Sequence, residues 1–314
     1  MEVNEDAVRI AYKLFLNRNA SPEEATSMAK NQETLAELRN VFLNSREFGV
    51  KFDAHRSKGA HNPARDCAIV HLHVPKTAGS SLTRVLAPHY AQGTQFSVSD
   101  GNLSKLKNTS KEERQAISFM FGHLSHGVAD QLPQNHMYVC VLRRPGPRLM
   151  SYYNYLYRTK DHPSYGIIKG QDMSFGTFLE WSADPKNGHR REVDNGQVQR
   201  LAGLEAHHKG AGKAEMLTQA LSHILAPDMM YGLTEHFDDF VGRLYAQGVI
   251  PNKVAIRENA APNTASLDKV LTELTGAQRE LYDSFIYWDD ILYNTCEQLY
   301  FAAAKGLARK NIAR

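Results

Sequence analysis

Lys76, Thr77, Ala78, Gly79, Ser80 and Ser81 are the residues of this chain best suited to holding an anion. They stand between an alternating run and a helical one. Ala68, Val70, Leu72 and Val74 point one way and Ile69, His71 and His73 the other, which predicts a strand. Pro75 cannot continue a ladder, so the strand stops there. Leu82, Val85 and Leu86 recur at helical spacing until Pro88. The first N–H groups of a helix have no internal partner, and the dipole places about half a positive charge at that end. A phosphate or sulfate docks there readily. Gly79 lets the backbone approach, Ser80 and Ser81 add hydroxyls, and Lys76 adds a full charge. The same residues also make a plain strand-to-helix turn. In the nucleotide loop GxxxxGK[ST] the Lys follows the Gly. Here it precedes, so the loop reads as an anion cradle and a poor Mg–ATP site.

Two further places carry chemistry. Ile117 to Phe121 predicts a second strand, running into Gly122-His123-Leu124-Ser125-His126-Gly127. A histidine just past a strand end sits where open α/β sheets place reacting groups; a satisfied core or surface histidine is the alternative. Met137 to Leu142 is an unbroken apolar run, as in a buried interior strand. Arg143-Arg144-Pro145 follows, then a helix through Leu149, Tyr152, Tyr153 and Leu156. Arg143 and Ser151, two helical turns on, pair a guanidinium fork with a hydroxyl suited to one phosphate; a salt-bridging surface arginine is the other reading. The polar stretch Tyr157 to Arg191 is rich in Lys, Arg and His, with Arg190 and Arg191 at its end, and an anionic sugar suits that charge. Asn195 and Arg200, in DNGQVQR, are candidates to line the same cleft.

The rest of the chain positions these groups. With 314 residues it can bury a sizeable core. A net charge of +3 is too small to argue for nucleic acid. No run approaches a membrane span, and the start lacks a signal-peptide layout. Three scattered cysteines, Cys67, Cys140 and Cys296, suggest neither a metal site nor a disulfide framework, so a cytoplasmic setting is expected. Residues 1–50 predict a small helical module, with Ser21-Pro22-Glu23-Glu24 as a helix start. Its pieces AYKLFLNR, SPEEA and LRNVFLNSREF resemble helical modules attached to bacterial carbohydrate-modifying enzymes. Residues 51–65 read as a linker and 66–314 as the main domain. Gln92 to Gln115 shows little periodicity. Lys213 to Leu225 predicts a helix, Met230 to Leu233 a strand, and Ala277 to Lys305 one long amphipathic helix before a frayed basic tail. His207, His208 and His223 read as surface or packing histidines, with no metal site.

HVPKTAGSSL, GHLSHG and YVCVLRRPGPRLMSYYNY together resemble the PAPS-dependent carbohydrate sulfotransferases, above all the branch of uronyl and heparan sulfate 2-O-sulfotransferases, in a bacterial-type member. VDNGQVQRLAG, MYGLTEHFDDF and ENAAPNTAS agree in order. The resemblance implies an α/β, P-loop-like three-layer fold with a central parallel sheet. It implies that Lys76, Thr77, Ala78, Gly79, Ser80 and Ser81 hold the 5′-phosphosulfate of PAPS, Arg143 and Ser151 its 3′-phosphate, and that His123 is the base. The implied product is adenosine 3′,5′-bisphosphate, with no metal required. A glycan or glycolipid acceptor is implied, and Glu258 to Ser266 would close over the nucleotide. Two positions depart from the pattern. Phe121 stands where related uronyl enzymes carry a histidine, with His126 extra, and Arg144 replaces the usual Asp. A kinase using ATP and a catalytically silent carbohydrate-binding protein are the alternatives.

Overall fold

The computed structural model describes residues 3–16, 18–43, 45, 47, 67–98, 103–252 and 267–312. The expected linker over 51–65 and the loop from Glu258 to Ser266 lie outside the described residues. The sheet has five parallel strands: β1 (Ala68–Leu72), β2 (Gln95–Val98), β3 (Phe119–Gly122), β4 (His136–Leu142) and β5 (Met229–Leu233), in the order β2-β3-β1-β4-β5. Every residue of β1 is buried, as expected where a parallel sheet is covered on both faces.

The alternation in β1 sorts its side chains between two cores. Val70 and Leu72, with Tyr138, Cys140 and Leu142 of β4, pack under helices Gly196–His208, Lys213–Ile224 and Gly276–Ile312. Ile69, with Phe119, Val139 and Val141, packs under helices Gly79–Leu86 and Phe237–Ala246. A sheet between two helical layers is a three-layer α/β fold. In chain order the helices are α1 (Glu5–Leu16), α2 (Pro22–Asn31), α3 (Leu35–Leu43), α4 (Gly79–Leu86), α5 (Leu103–Asn108), α6 (Lys111–Gln115), α7 (Pro145–Arg158), α8 (Tyr165–Gly170), α9 (Phe175–Ala183), α10 (Arg190–Val193), α11 (Gly196–His208), α12 (Lys213–Ile224), α13 (Phe237–Ala246), α14 (Leu267–Thr272) and α15 (Gly276–Ile312).

α1, α2 and α3 enclose a small core of Val8, Tyr12, Phe15, Leu38 and Phe42, and Leu299 of α15 joins it. Ser21 and Glu24 form the reciprocal cap of α2.

Two expectations are corrected here. The stretch Gln92 to Gln115 holds an edge strand, β2, and two short helices, α5 and α6. Four residues with two apolar side chains are too few to show a period, and β2 is set by pairing with β3. The helix expected to fray after Lys305 continues to Ile312.

Since the strands are parallel, the segments after β1, β3, β4 and β5 emerge at one edge of the sheet. Strand order reverses beside β1, and crevices at such switch points outside the carboxyl ends are where ligands bind in open α/β sheets.

Candidate active site

The segment after β1 turns sharply into α4. Lys76 (φ 68°) and Ala78 (φ 63°) are left-handed, and neither is glycine. Such residues carry strain of the order of 1–2 kcal/mol each. Alternating left-handed residues turn successive N–H groups toward one concavity, the form of an anion-binding nest. Thr77 is buried and its Oγ1 donates to the Val74 carbonyl (2.8 Å), so its hydroxyl fastens the turn and does not face a ligand. No side chain caps α4. A Cβ at position 79 would lie 1.8 Å from the His73 ring, so only glycine fits there. Ser80 is exposed and Ser81 half-buried at the helix mouth.

Cations converge on this loop. Arg143, at the end of β4, donates from Nη1 to the Lys76 carbonyl (3.1 Å). Its main chain is gripped at both polar atoms by Gln197 of α11: Arg143 N donates to Gln197 Oε1 (3.0 Å), and Gln197 Nε2 donates to Arg143 O (2.9 Å). Burial, then the charges of Arg143 and Arg158, hold the Lys76 ammonium below its ordinary pKa. Its Nζ rests 4.4 Å from the centre of the Tyr155 ring, a cation–π contact. On α7 Ser151, Tyr155 and Arg158 fall at i, i+4 and i+7, one helix face. Tyr155 and Arg158 thus belong with Lys76, and that spacing was the signal for them in the sequence. Arg144 does not add free charge: its Nη2 donates to Glu297 of α15 at 2.9 Å.

Like charges crowding a half-buried lysine mark a site built for an anion. A phosphate there would restore the Lys76 pKa, so at alkaline pH anion binding takes up a proton. Affinity then falls as pH rises through the lowered pKa. Calorimetry of adenosine 3′,5′-bisphosphate in buffers of different ionisation enthalpy checks this at alkaline pH; heats independent of buffer contradict it.

His123 is exposed just past β3. Gly122, at φ 144°, makes that exit possible, because a Cβ there would lie 1.7 Å from the Val98 carbonyl oxygen. The His73 N–H donates to the Gly122 carbonyl (2.9 Å), continuing the β1–β3 ladder. The His73 and His123 rings meet edge to face at 4.8 Å. His126 points elsewhere: it stacks on His223 at 3.6 Å and on Tyr138 at 4.7 Å, and burial above all holds it down at about 3. It packs as a neutral ring.

Of the four residues expected to bind substrate, two are buried and two exposed. Asn195 is 1% exposed and is wedged into the ladder of α15. Its Oδ1 accepts from the N–H groups of Trp288 (2.7 Å) and Asp289 (3.0 Å). Its Nδ2 and N–H donate to the carbonyls of Ser284 (3.0 Å) and Phe285 (2.7 Å). Those four groups would otherwise make two helical bonds with each other. Arg200 is also 1% exposed: Nη1 donates to the His123 carbonyl (2.9 Å), and Nη2 pairs with Glu192. Both are engaged in hydrogen bonds that hold the frame. Arg190 and Arg191 are exposed and, with Asp194, His207, His208 and Lys213, line a cleft of about 590 Å³. Arg191 Nη2 donates to Ser125 Oγ (2.5 Å), which joins the cleft to the His123 segment. Among the described residues no group of His, Cys, Asp or Glu is placed to hold a metal ion, and no helix is long and apolar enough to cross a membrane.

Residues 62–209 match the model of the sulfotransferase family. Over that stretch, just under half of its length, the chain is similar to the sulfotransferase family. The matched segment contains the 76–81 loop, His123, Arg143, Ser151 and the 190–200 residues. Similar proteins include heparan sulfate 2-O-sulfotransferase 1 of Mus musculus, 25% identical over 256 residues that span 76% of this chain and 70% of that protein. The protein of the same name from Homo sapiens is 24% identical over 255 residues, with the same coverage, and that from Xenopus laevis 26% over 249 residues, spanning 74% and 68%. A solved structure, mouse sulfotransferase SULT7A1 complexed with PAP, aligns at 13% identity with a TM-score of 0.42, covering 80% of this chain and 95% of that one.

Proposed function

We propose that this protein moves a sulfuryl group from PAPS to a hydroxyl of an anionic carbohydrate, with His123 as general base. The observation that carries the reading is the convergence of Lys76, Arg143 and Arg158 at the uncapped mouth of α4, with His123 at the end of the adjacent strand. The cradle suits the 5′-phosphosulfate: Lys76, the N–H groups of 78–81 and the hydroxyls of Ser80 and Ser81 would bear on it. Arg143 and Ser151 suit the 3′-phosphate. Sulfuryl transfer, like phosphoryl transfer, depends on in-line placement and charge stabilisation more than on covalent chemistry. His123 takes the proton as the acceptor oxygen bonds to sulfur. The bond from sulfur to the 5′-phosphate oxygen breaks, and Lys76 stabilises the charge left on that phosphate. Losing one such preorganised donor lowers rates by about 10²–10³ in comparable oxyanion sites. Arg190, Arg191 and Lys213, in the cleft that Arg191 ties to Ser125 of the segment after β3, suit a negatively charged sugar chain. The glycan substrate in the name of the 2-O-sulfotransferases supports that choice.

Transfer of labelled sulfate from PAPS across a panel of uronic-acid and neutral-sugar acceptors tests the proposal. Label on an anionic glycan is the expected result, and no transfer to any acceptor would sink it. Arg143→Ala should weaken binding of adenosine 3′,5′-bisphosphate by about 10- to 100-fold, the scale of a lost hydrogen bond to a charged group. Adenosine 5′-phosphate should be far less affected. Because Arg143 also holds the Lys76 carbonyl, the ratio of the two affinities is the telling measurement. An unchanged ratio speaks against a 3′-phosphate at Arg143.

A further inference from the structure

The structure leaves one imidazole at the site with no assigned work. We propose that His73 is a positioning residue for His123, fixing the orientation and tautomer of that ring; this rests on the reading of His123 as base. The ladder between β1 and β3 pairs Leu72 with Gly122, and the bond from His73 N to Gly122 O brings the next two side chains together. Their rings meet at 4.8 Å and 70°, so one ring presents its edge to the other.

His73 is itself held on two further sides. It lies against Gly79, where a Cβ would come within 1.8 Å of Cδ2. His71 stacks on it at 5.3 Å and 12°. His71 is fully buried, its Nδ1 is 3.0 Å from Thr83 Oγ1, and Thr83 Oγ1 donates back to the Gly79 carbonyl at 3.1 Å. The chain of contacts His71, Thr83, Gly79, His73 closes on itself. A ring so confined offers a fixed edge to an exposed neighbour.

The surroundings also fix its charge. Burial comes first, followed by His123 beyond β3, Arg200 of α11 and Lys76 of the loop, and together they hold His73 at about 3. His71 faces it from β1 and is itself held low by burial, His73 and His123. His73 is therefore neutral at working pH. It presents one N–H and one lone pair, and it does not compete with His123 for the acceptor proton.

Histidine side chains labelled with ¹⁵N report this in the whole protein without substrate. In the parent, His123 should occupy one tautomer. His73→Phe keeps a ring over Gly79 but removes both nitrogens. It should turn the His123 signals into a mixture of tautomers, shift the acidic limb of the pH–rate profile, and lower kcat by about 10², the scale of a misplaced reacting group. The affinity for adenosine 3′,5′-bisphosphate should stay within about twofold, since the change is of orientation and not of charge. His73→Gln, which restores a hydrogen-bonding edge, should recover part of kcat. Two results would overturn the proposal: mixed tautomers of His123 in the parent, or unchanged His123 signals and kcat in the His73→Phe variant. A parent that transfers no sulfate would instead overturn the sulfotransfer reading, and the spectra would still decide whether His73 holds His123.

Discussion

Turnover of the His123→Ala variant should fall by about 10²–10⁴, the range supplied by a positioned general base, or about 3–5.5 kcal/mol of barrier. Affinity for the nucleotide should barely change. The reason lies in how the segment is held. Arg200 grips the main-chain carbonyl of residue 123, and Leu124 N donates to the Gly122 carbonyl at 2.7 Å, so truncating the exposed ring leaves the backbone in place. The proposed phosphate cradle lies between β1 and α4, another part of the sheet edge. Single-turnover transfer from PAPS and calorimetry with adenosine 3′,5′-bisphosphate separate the two effects. Lost affinity with turnover retained would remove His123 from the role of base.

Arg148→Met should destabilise the fold by about 3–5 kcal/mol, the loss expected when one partner of a buried ion pair is removed. Arg148 and Asp289 are each 1% exposed, with Arg148 Nη2 3.5 Å from Asp289 Oδ2. Arg148 also donates to the carbonyls of Pro75 (3.4 Å) and Glu192 (2.7 Å), tying the start of the loop after β1 to α10. Asp289 accepts from the N–H groups of Gln197 and Val198, which open α11. Burial already pushes the Asp289 carboxyl up, and Arg148 is the charge that opposes this. Without the guanidinium that pKa rises further above its unfolded value, so the folded state binds more protons than the unfolded one. The stability deficit should then be smallest at acid pH and grow as pH rises through the folded pKa. Urea denaturation at acid and neutral pH measures both. A variant as stable as its parent at neutral pH would show that the pair contributes little.

Much of the candidate site was legible because it obeys local rules. Alternation marked β1, Pro75 marked its end, and the small residues before Leu82 marked a helix mouth. The apolar run of β4 and Pro145 at the start of α7 placed Arg143 at a strand end, and Gly122 placed His123 likewise. Where the period was too short, as in β2, only pairing with β3 made a strand.

The residue types and their spacing thus determined β1, β4, the tight turn into α4 and the histidine just past β3, because each depends on neighbours within a turn or two of chain. Tertiary structure alone decided which polar residues face a ligand and which hold the frame. Asn195 finds its partners 89 to 94 positions away and Arg200 finds His123 at a separation of 77, so no local pattern could show that both are buried and engaged. The same holds for His73, held low by burial first and then by His123 and Arg200, which other elements bring to it. Periodicity travels along the backbone, whereas desolvation and hydrogen-bond satisfaction are properties of what folds against a residue from afar.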